Sequence, residues 1–398
     1  MLSQRQLFLD HLAQTSPTPL LLEIVSASGI YMKDTSGKEY LDLISGIGVS
    51  TVGHRHPNVV EAIKQQVDRH LHVMVYGEFV QSPQVKLAEA LCNTLPEKLN
   101  SVYLLNSGSE AIEGAMKLAK RFTGRSAFIA CQNSYHGSTH GALSLSDSED
   151  FKQNYRPLLP AISHVRFGHT EDLQAITIET AAFIIETVQG EAGVQVADKA
   201  YWKAVRKRCD ETGTLLILDE IQCGFGRTGK LWAFEHYGIE PDIITCAKGM
   251  GGGMPIGCFI ANRKVMEVLT HNPILGHIST FGGHPVSSAA SLAALKAISE
   301  ERLLEGVEKK EALFRSLLTH PAIRDFRSMG LMIAIEFESY EVLKPIIDKA
   351  IKLGIVTDWF LFNDRSMRIA PPLVITEEEI KQACKKILQA INAAAGES

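Results

Sequence analysis

Three short stretches carry residues whose types and spacing could do chemistry together. Leu105-Asn106-Ser107-Gly108-Ser109-Glu110 runs from an apolar segment into a helix-like one. Ser107 and Glu110, three apart, predict a capping box at that helix start. Ser-Gly-Ser at a helix N-terminus also presents free N–H groups and the positive end of the dipole, with room for one phosphate. Leu218-Asp219-Glu220-Ile221-Gln222 closes the most apolar run of the chain. A carboxylate leaving a buried strand needs a partner, and a cationic ring N–H would be one. Lys248 ends a further apolar run and enters Gly249-Met250-Gly251-Gly252-Gly253. Gly249 and Gly251–Gly253 are expected to leave space for a bound group and for a neighbouring subunit's loop. A phosphate cradle, a strand-end aspartate and a strand-end lysine are together what pyridoxal phosphate requires.

The elements that must position these groups can be read from hydrophobic patterning. Short apolar runs recur at 102–105, 127–131, 181–185, 214–218, 242–246 and 256–261. They are continuous, not alternating, as expected of strands buried on both faces of a largely parallel α/β sheet. Helix-length segments lie at 109–122, 198–211 and 285–299, and Val59, Ile63, Val67 and Leu71 repeat every four residues. After about residue 300 the composition becomes helical and charged in EERLLEGVEKKEALFRSLL. MIAIEF (332–337), a helix near 340–353 and a last helix from about 376 follow. The division expected is a segment 1–50 contributing to a small α+β domain, a large domain 51–300, and a C-terminal small domain 301–398. The stretch GIYMKDTSGKEYLDL reads as a hairpin.

Composition excludes several classes. The chain has 398 residues, 45% hydrophobic and 21% charged, with a formal net charge of −5 and no Lys/Arg-rich block. That balance suits neither nucleic acid nor an anionic membrane, and no stretch is apolar for the length of a bilayer. MLSQRQLFLDHLAQ lacks the basic head and long apolar run of a secretory signal, so the sequence reads as cytoplasmic. Seven scattered cysteines without a CxxC pair read as reduced thiols. Gly224-Phe-Gly226-Arg-Thr-Gly229 matches GxGxxG, but Asp219–Cys223 separate it from its strand. Leu231 stands where a phosphate-binding GxxxxGK loop needs Ser or Thr. His54/His56 and His136/His140 lack a third metal ligand nearby and suit capping or turn roles; no metal is expected.

On these residues the chain resembles the class III (ω-type) aminotransferases, which include the acetylornithine, ornithine and 4-aminobutyrate enzymes. The resemblance runs from Gly29-Ile-Tyr-Met-Lys-Asp to Arg368-Ile-Ala-Pro-Pro-Leu373. It is carried most specifically by NSGSEA, YHG, ETVQGEAGV, LDEIQCGFGRTGK, AKGMGGGMPIG and TFGGHP. It implies fold type I: a large domain with a mostly parallel seven-stranded sheet flanked by helices, and a smaller α+β domain. It also implies transfer of an amino group from an ω-amine or amino-acid donor to a keto acid, 2-oxoglutarate by preference, in ping-pong fashion.

Residue by residue, the resemblance makes Lys248 the internal-aldimine lysine and proton shuttle and Asp219 the partner of the pyridinium. Ser107, Gly108 and Ser109 would hold the phosphate, Tyr135 would stack on the ring, and Gln222 and Glu186 would lie on the hydroxyl side. His136 belongs to the cofactor site with its role open. Thr280 would reach the phosphate of a neighbouring subunit, which implies a homodimer with shared active sites. Glu191 and Arg368 form the gate for substrate carboxylates, with Ile47 also in the substrate site. One position departs from the pattern. Ser138 stands where the family holds an arginine for the distal carboxylate, so either another arginine, such as Arg156, substitutes or the donor has no carboxylate there. A racemase or aminomutase on the same fold is the alternative, and the Gln189-Gly190-Glu191 block with Arg368 favours transamination. Lys248 argues against a non-catalytic ligand-binding protein.

Overall fold

The computed structural model describes residues 2–396. Seven strands form the central sheet in the order 101–105, 257–261, 243–246, 215–219, 180–186, 127–131 and 162–165. All run parallel except Gly257–Ala261, which is antiparallel to both its neighbours. Thr180–Glu186, Leu215–Asp219 and Ile243–Cys246 are buried at every residue. Both faces are covered, as their unbroken apolar character requires. Helices Gly108–Thr123, Lys199–Thr212 and Pro285–Glu300 lie where the patterning placed them. Pro57–Arg69 packs against Pro285–Glu300.

A second hydrophobic core forms around Phe314, Ile333, Ile335, Ile347, Ile369 and Ile387. It joins the sheet of Asp325–Met329, Met332–Glu336, Asn363–Ile369 and Trp359–Phe360 to helices Val307–Leu317, Tyr340–Lys352 and Glu377–Ala395. The hairpin Tyr31–Asp34/Glu39–Asp42 also belongs here, pairing in parallel with Ile355–Val356. No helix of the described residues is long and apolar enough to cross a membrane.

Two readings of the chain change. Residues 300–318 are not one helix: residues 301–306 form turns, with Arg302 at φ 52°, before helix Val307–Leu317 begins. The turn lets Leu303 and Leu304 pack against both cores at once, which a continuous helix would not allow. Edge strand Ile162–Val165 was not evident, because ISHV is short and only its last residue is fully buried.

Candidate active site

The chemistry-bearing residues meet where the parallel strands end, the position at which open α/β sheets place ligands. Asp219 is the last residue of the central strand, paired in register with Glu186 on one side and Thr245 on the other. Lys248 follows two residues beyond Ile243–Cys246, at φ 47°, and starts a short 3₁₀ turn. A cavity of about 460 Å³ lies between them, lined by Ser107–Ser109, Tyr135–Gly137, Glu186, Asp219, Gln222 and Lys248.

The helix start at Ser107 is built differently from a capping box. Ser107 Oγ accepts from Glu110 N at 3.2 Å, but the Glu110 carboxylate passes Ser107 and accepts from Asn106 N and Nδ2. The change has a physical reason: the strand ends at Leu105, so the Asn106 N–H has no sheet partner to use. Gly108 and Ser109 open the helix, so their N–H groups have no carbonyl of their own and line the cavity. Gly137, at φ 130°, lies so close that a Cβ there would sit 2.1 Å from Ser109 Oγ.

Asp219 is 3% exposed and fully directed. Oδ1 accepts from Ile221 N at 3.0 Å and Oδ2 faces His136 Nδ1 at 2.7 Å. Burial alone would lower the His136 pKa; the bond to Asp219, its charge and that of Glu186 raise it. His136 thus meets the cavity through its contact with the Asp219 carboxylate. Glu186 accepts from Tyr135 N and Gly190 N, and burial pushes its carboxyl up to about 7. Burial likewise lowers Lys248, against the pull of the Glu191 charge, which favours the neutral amine a nucleophile needs.

Two of the glycines after Lys248 also serve packing within the chain. A Cβ on Gly249 would meet Thr51 Oγ1 at 2.5 Å, and one on Gly252 would meet Ala294 and Val59. Both let the lysine-bearing turn close against its own chain; only Gly253 faces the cavity.

Beyond the cavity, Arg368 makes a two-pronged pair with Glu191, NH1 to Oε1 at 2.8 Å and NH2 to Oε2 at 2.9 Å. Its Nε donates to Asp358 Oδ1 at 2.9 Å, and its guanidinium lies 4.5 Å from the Phe360 ring centroid. Burial would raise Glu191, but the Arg368 charge and hydrogen bonds hold it down to about 2. Asp358 has only the single bond, and burial pushes it up to about 6. Gln222 Nε2 donates to Glu191 Oε1, linking the gate to the loop after Asp219. Ile47 lines a narrow cavity with Gln222 and Arg368, within a left-handed turn where Ser45, Gly46, Ile47 and Gly48 all have positive φ. A β-branched residue in that conformation costs about 1–2 kcal/mol. Asp42, accepting from Ile44 N and Ser45 N, and Ser45 Oγ, donating to Ala370 O at 2.7 Å, hold it. Asp358 carried no sequence signal of its role.

Other residues stand apart. Thr280 is exposed and does not line this chain's cavity. Ser138 is exposed, its Oγ 3.0 Å from Tyr135 Oη. Arg156 does not replace the missing arginine: its NH2 is held by both oxygens of Glu149, on the surface. His54 pairs with Asp42, while His56 pairs with Glu301 and does not cap its helix. The described residues contain no cluster suited to a metal. The GxGxxG match lies in the turns after Asp219, not between a strand and a helix.

The donor set fits pyridoxal phosphate. One end of the cavity offers unused helix N–H groups, the middle a carboxylate held by Ile221 N and His136, and the far wall a lysine amine bonded to none of the described residues. A volume of about 460 Å³ is within the range of cofactor pockets.

The family model for class-III aminotransferases matches residues 12–391. Acetylornithine aminotransferase from Methanopyrus kandleri is 40% identical over 388 residues, covering 96% of this chain and 97% of that one. Putrescine aminotransferase from Pectobacterium atrosepticum is 40% identical over 385 residues, covering 90% and 80%. The ornithine aminotransferase structure from Toxoplasma gondii superposes with a TM-score of 0.92 at 30% identity, covering 98% and 94%. The strand-end lysine, its aspartate and the phosphate cradle thus sit in a chain alike throughout its length to such enzymes, and it belongs to the pyridoxal-phosphate-dependent class-III aminotransferases.

Proposed function

We propose that the enzyme moves an amino group from an ω-amine donor to a 2-oxo acid, 2-oxoglutarate, in two half-reactions sharing one cavity. The observation that carries this reading is the convergence of Lys248, Asp219 and the free helix start at Ser107–Ser109 on that cavity. Bound there, the cofactor supplies an electron sink for the carbon that loses its proton. Ser107, Gly108 and Ser109 would hold its phosphate and Tyr135 its ring face, with Glu186 and Gln222 on the hydroxyl side. Asp219, oriented by His136, keeps the ring nitrogen protonated. Lys248 would hold the cofactor's aldehyde carbon and, freed by the donor amine, its amine would take the proton from the substrate carbon and deliver it to the former aldehyde carbon, on the other side of the nitrogen. Its lowered pKa supports the neutral form that this step uses.

Arg368 binds the α-carboxylate of the acceptor in the two-pronged geometry it now shares with Glu191. Glu191 masks the arginine when the donor carries no carboxylate. At the other end the wall offers Tyr135, with the exposed Ser138 hydroxyl beside its Oη and no cation there, while Arg156 is occupied by Glu149. This favours donors whose far end is not an anion, in keeping with the relative named putrescine aminotransferase. A second copy of the chain would complete the site through Thr280, which is flanked by exposed Ile278 and Phe281. The test is an amino-donor panel with 2-oxoglutarate and pyruvate, with Lys248→Ala as blank. Racemised or rearranged product without keto-acid consumption would overturn transamination, and preference for pyruvate would overturn the acceptor.

A further inference from the structure

Arg227 is 1% exposed, and among the described residues no carboxylate bonds to it. Burial, opposed by the charge of Asp42, lowers its pKa to about 10, so it remains charged at neutral pH. A buried, unpaired guanidinium is costly and calls for a reason. Its NH1 donates to two main-chain carbonyls, Leu331 O at 3.0 Å and Pro371 O, both in the small-domain layer. Leu331 N returns a bond to Arg227 O at 2.9 Å. Nε and NH2 have no partner among the described residues.

Two consequences follow from where these bonds land. Pro371 lies three residues after Arg368, and Arg227 lies five after Gln222. The clamp therefore ties the loop carrying the cofactor-side glutamine to the strand carrying the carboxylate-binding arginine. Arg227, Arg368, Gln222 and Ile47 line one narrow cavity. Its volume, about 10 Å³, admits a single water at most and no carboxylate. Arg227 cannot bind substrate there and can act only through Arg368. The same strap is gripped from its other side: Ser45 Oγ donates to Ala370 O, and Ala370 N to Leu43 O.

We infer that Arg227, with Ser45 opposite it, is a positioning residue for the carboxylate subsite, fixing the reach of Arg368 across the gap between the two cores. The inference rests on the reading of Arg368 as the acceptor's carboxylate ligand. Its unpaired N–H groups, with the Asp42 charge acting on it without a bond, make Arg227 a poor device for stability alone, since an apolar replacement of a buried charge is often neutral or stabilising.

The test uses holoenzyme and glutarate, a non-reacting dicarboxylate, with its dissociation constant measured by calorimetry beside the thermal midpoint and cofactor absorbance. Arg227→Met is expected to weaken glutarate about tenfold and Ser45→Ala about threefold, since small misplacements of a binding group cost this much. Cofactor absorbance should stay unchanged, and Arg227→Lys should recover part of the loss. Arg368→Ala is the reference. If it leaves glutarate binding intact, the carboxylate reading itself fails. If it weakens binding while Arg227→Met and Ser45→Ala bind like wild type, the positioning role is overturned. Losses that track the thermal midpoint, with no recovery in Arg227→Lys, would reduce Arg227 to a stability element. Should Arg227→Met not fold, Ser45→Ala and Arg227→Lys decide the question by the same readouts.

Discussion

The cofactor end of the cavity and its substrate gate are both made of charged groups, yet they are held by different physics. Asp219 sits on a strand buried at all five residues, and a main-chain N–H and an imidazole fix its two oxygens. Its backbone is tied into the central sheet on both sides. At the gate, Arg368 is held by the side chains of Glu191 and Asp358 and by the carbonyl of Trp359. Its pair with Glu191 can be exchanged for a substrate carboxylate of the same geometry. In the proposed reaction, the first region would keep the same task in both half-reactions, whereas the second would meet a different ligand in each.

This contrast is most sharply broken at Asp219. Asp219→Asn keeps the shape but removes the charge facing the ring nitrogen and His136. We expect kcat to fall about 10³-fold in both half-reactions alike, as for loss of a preorganised electrostatic group. Single-turnover spectra of each half-reaction measure it. A loss confined to one half-reaction would contradict a shared, fixed role.

Arg368→Ala tests the exchangeable end. The acceptor's KM should rise about 100-fold, as expected when one partner of a buried ion pair is removed, with amine-donor turnover changed less than about threefold. Equal losses in both half-reactions would mean that the arginine supports the fold and not the carboxylate.

The two regions also differed in how far the sequence revealed them. The central strands were legible because burial on both faces leaves no polar residue except at their ends, so Asp219 and Lys248 stood out. The helix at Gly108 was expected too, though not that Glu110 would bond Asn106 in place of Ser107. The small sheet was harder to read. Asp325–Met329 and Asn363–Ile369 carry Arg327 and Arg365, which pair with Glu336 on the strand between them. These charges hide the strand pattern, because the compensation comes from a neighbour and not from the local sequence. Arg227 was visible only as part of a discounted glycine motif, since its partners lie 104 and 144 residues away. The left-handed turn at Ser45–Gly48 is fixed in the same non-local way by Ala370. Thr280 could be named only by resemblance, because nothing in one chain gives it a contact at the site.

Asp358 offers the finest adjustment of the contrast. Two carboxylates share Arg368, but Glu191 has the bidentate bond and stays ionised, whereas burial brings Asp358 up to about 6. As pH falls through that value, Asp358 takes a proton and Arg368 loses one of its two counter-charges. The remaining positive charge then favours an incoming carboxylate, so acceptor KM should fall about threefold between pH 7.5 and 5.5, the size of a modest charge–charge effect. Stability moves in a related direction. A carboxyl whose folded pKa exceeds its unfolded value, near 3.9, contributes stability below that value and loses it as pH rises through about 6. Asp358→Asn should abolish the pH dependence of acceptor KM, fixing it near the low-pH value, and flatten the thermal midpoint between pH 4 and 6. A wild-type slope in the variant would assign the titration elsewhere, with Glu186, pushed up to about 7 at the cofactor end, the next group to replace. The slope would then belong to the fixed end of the cavity and not to its gate.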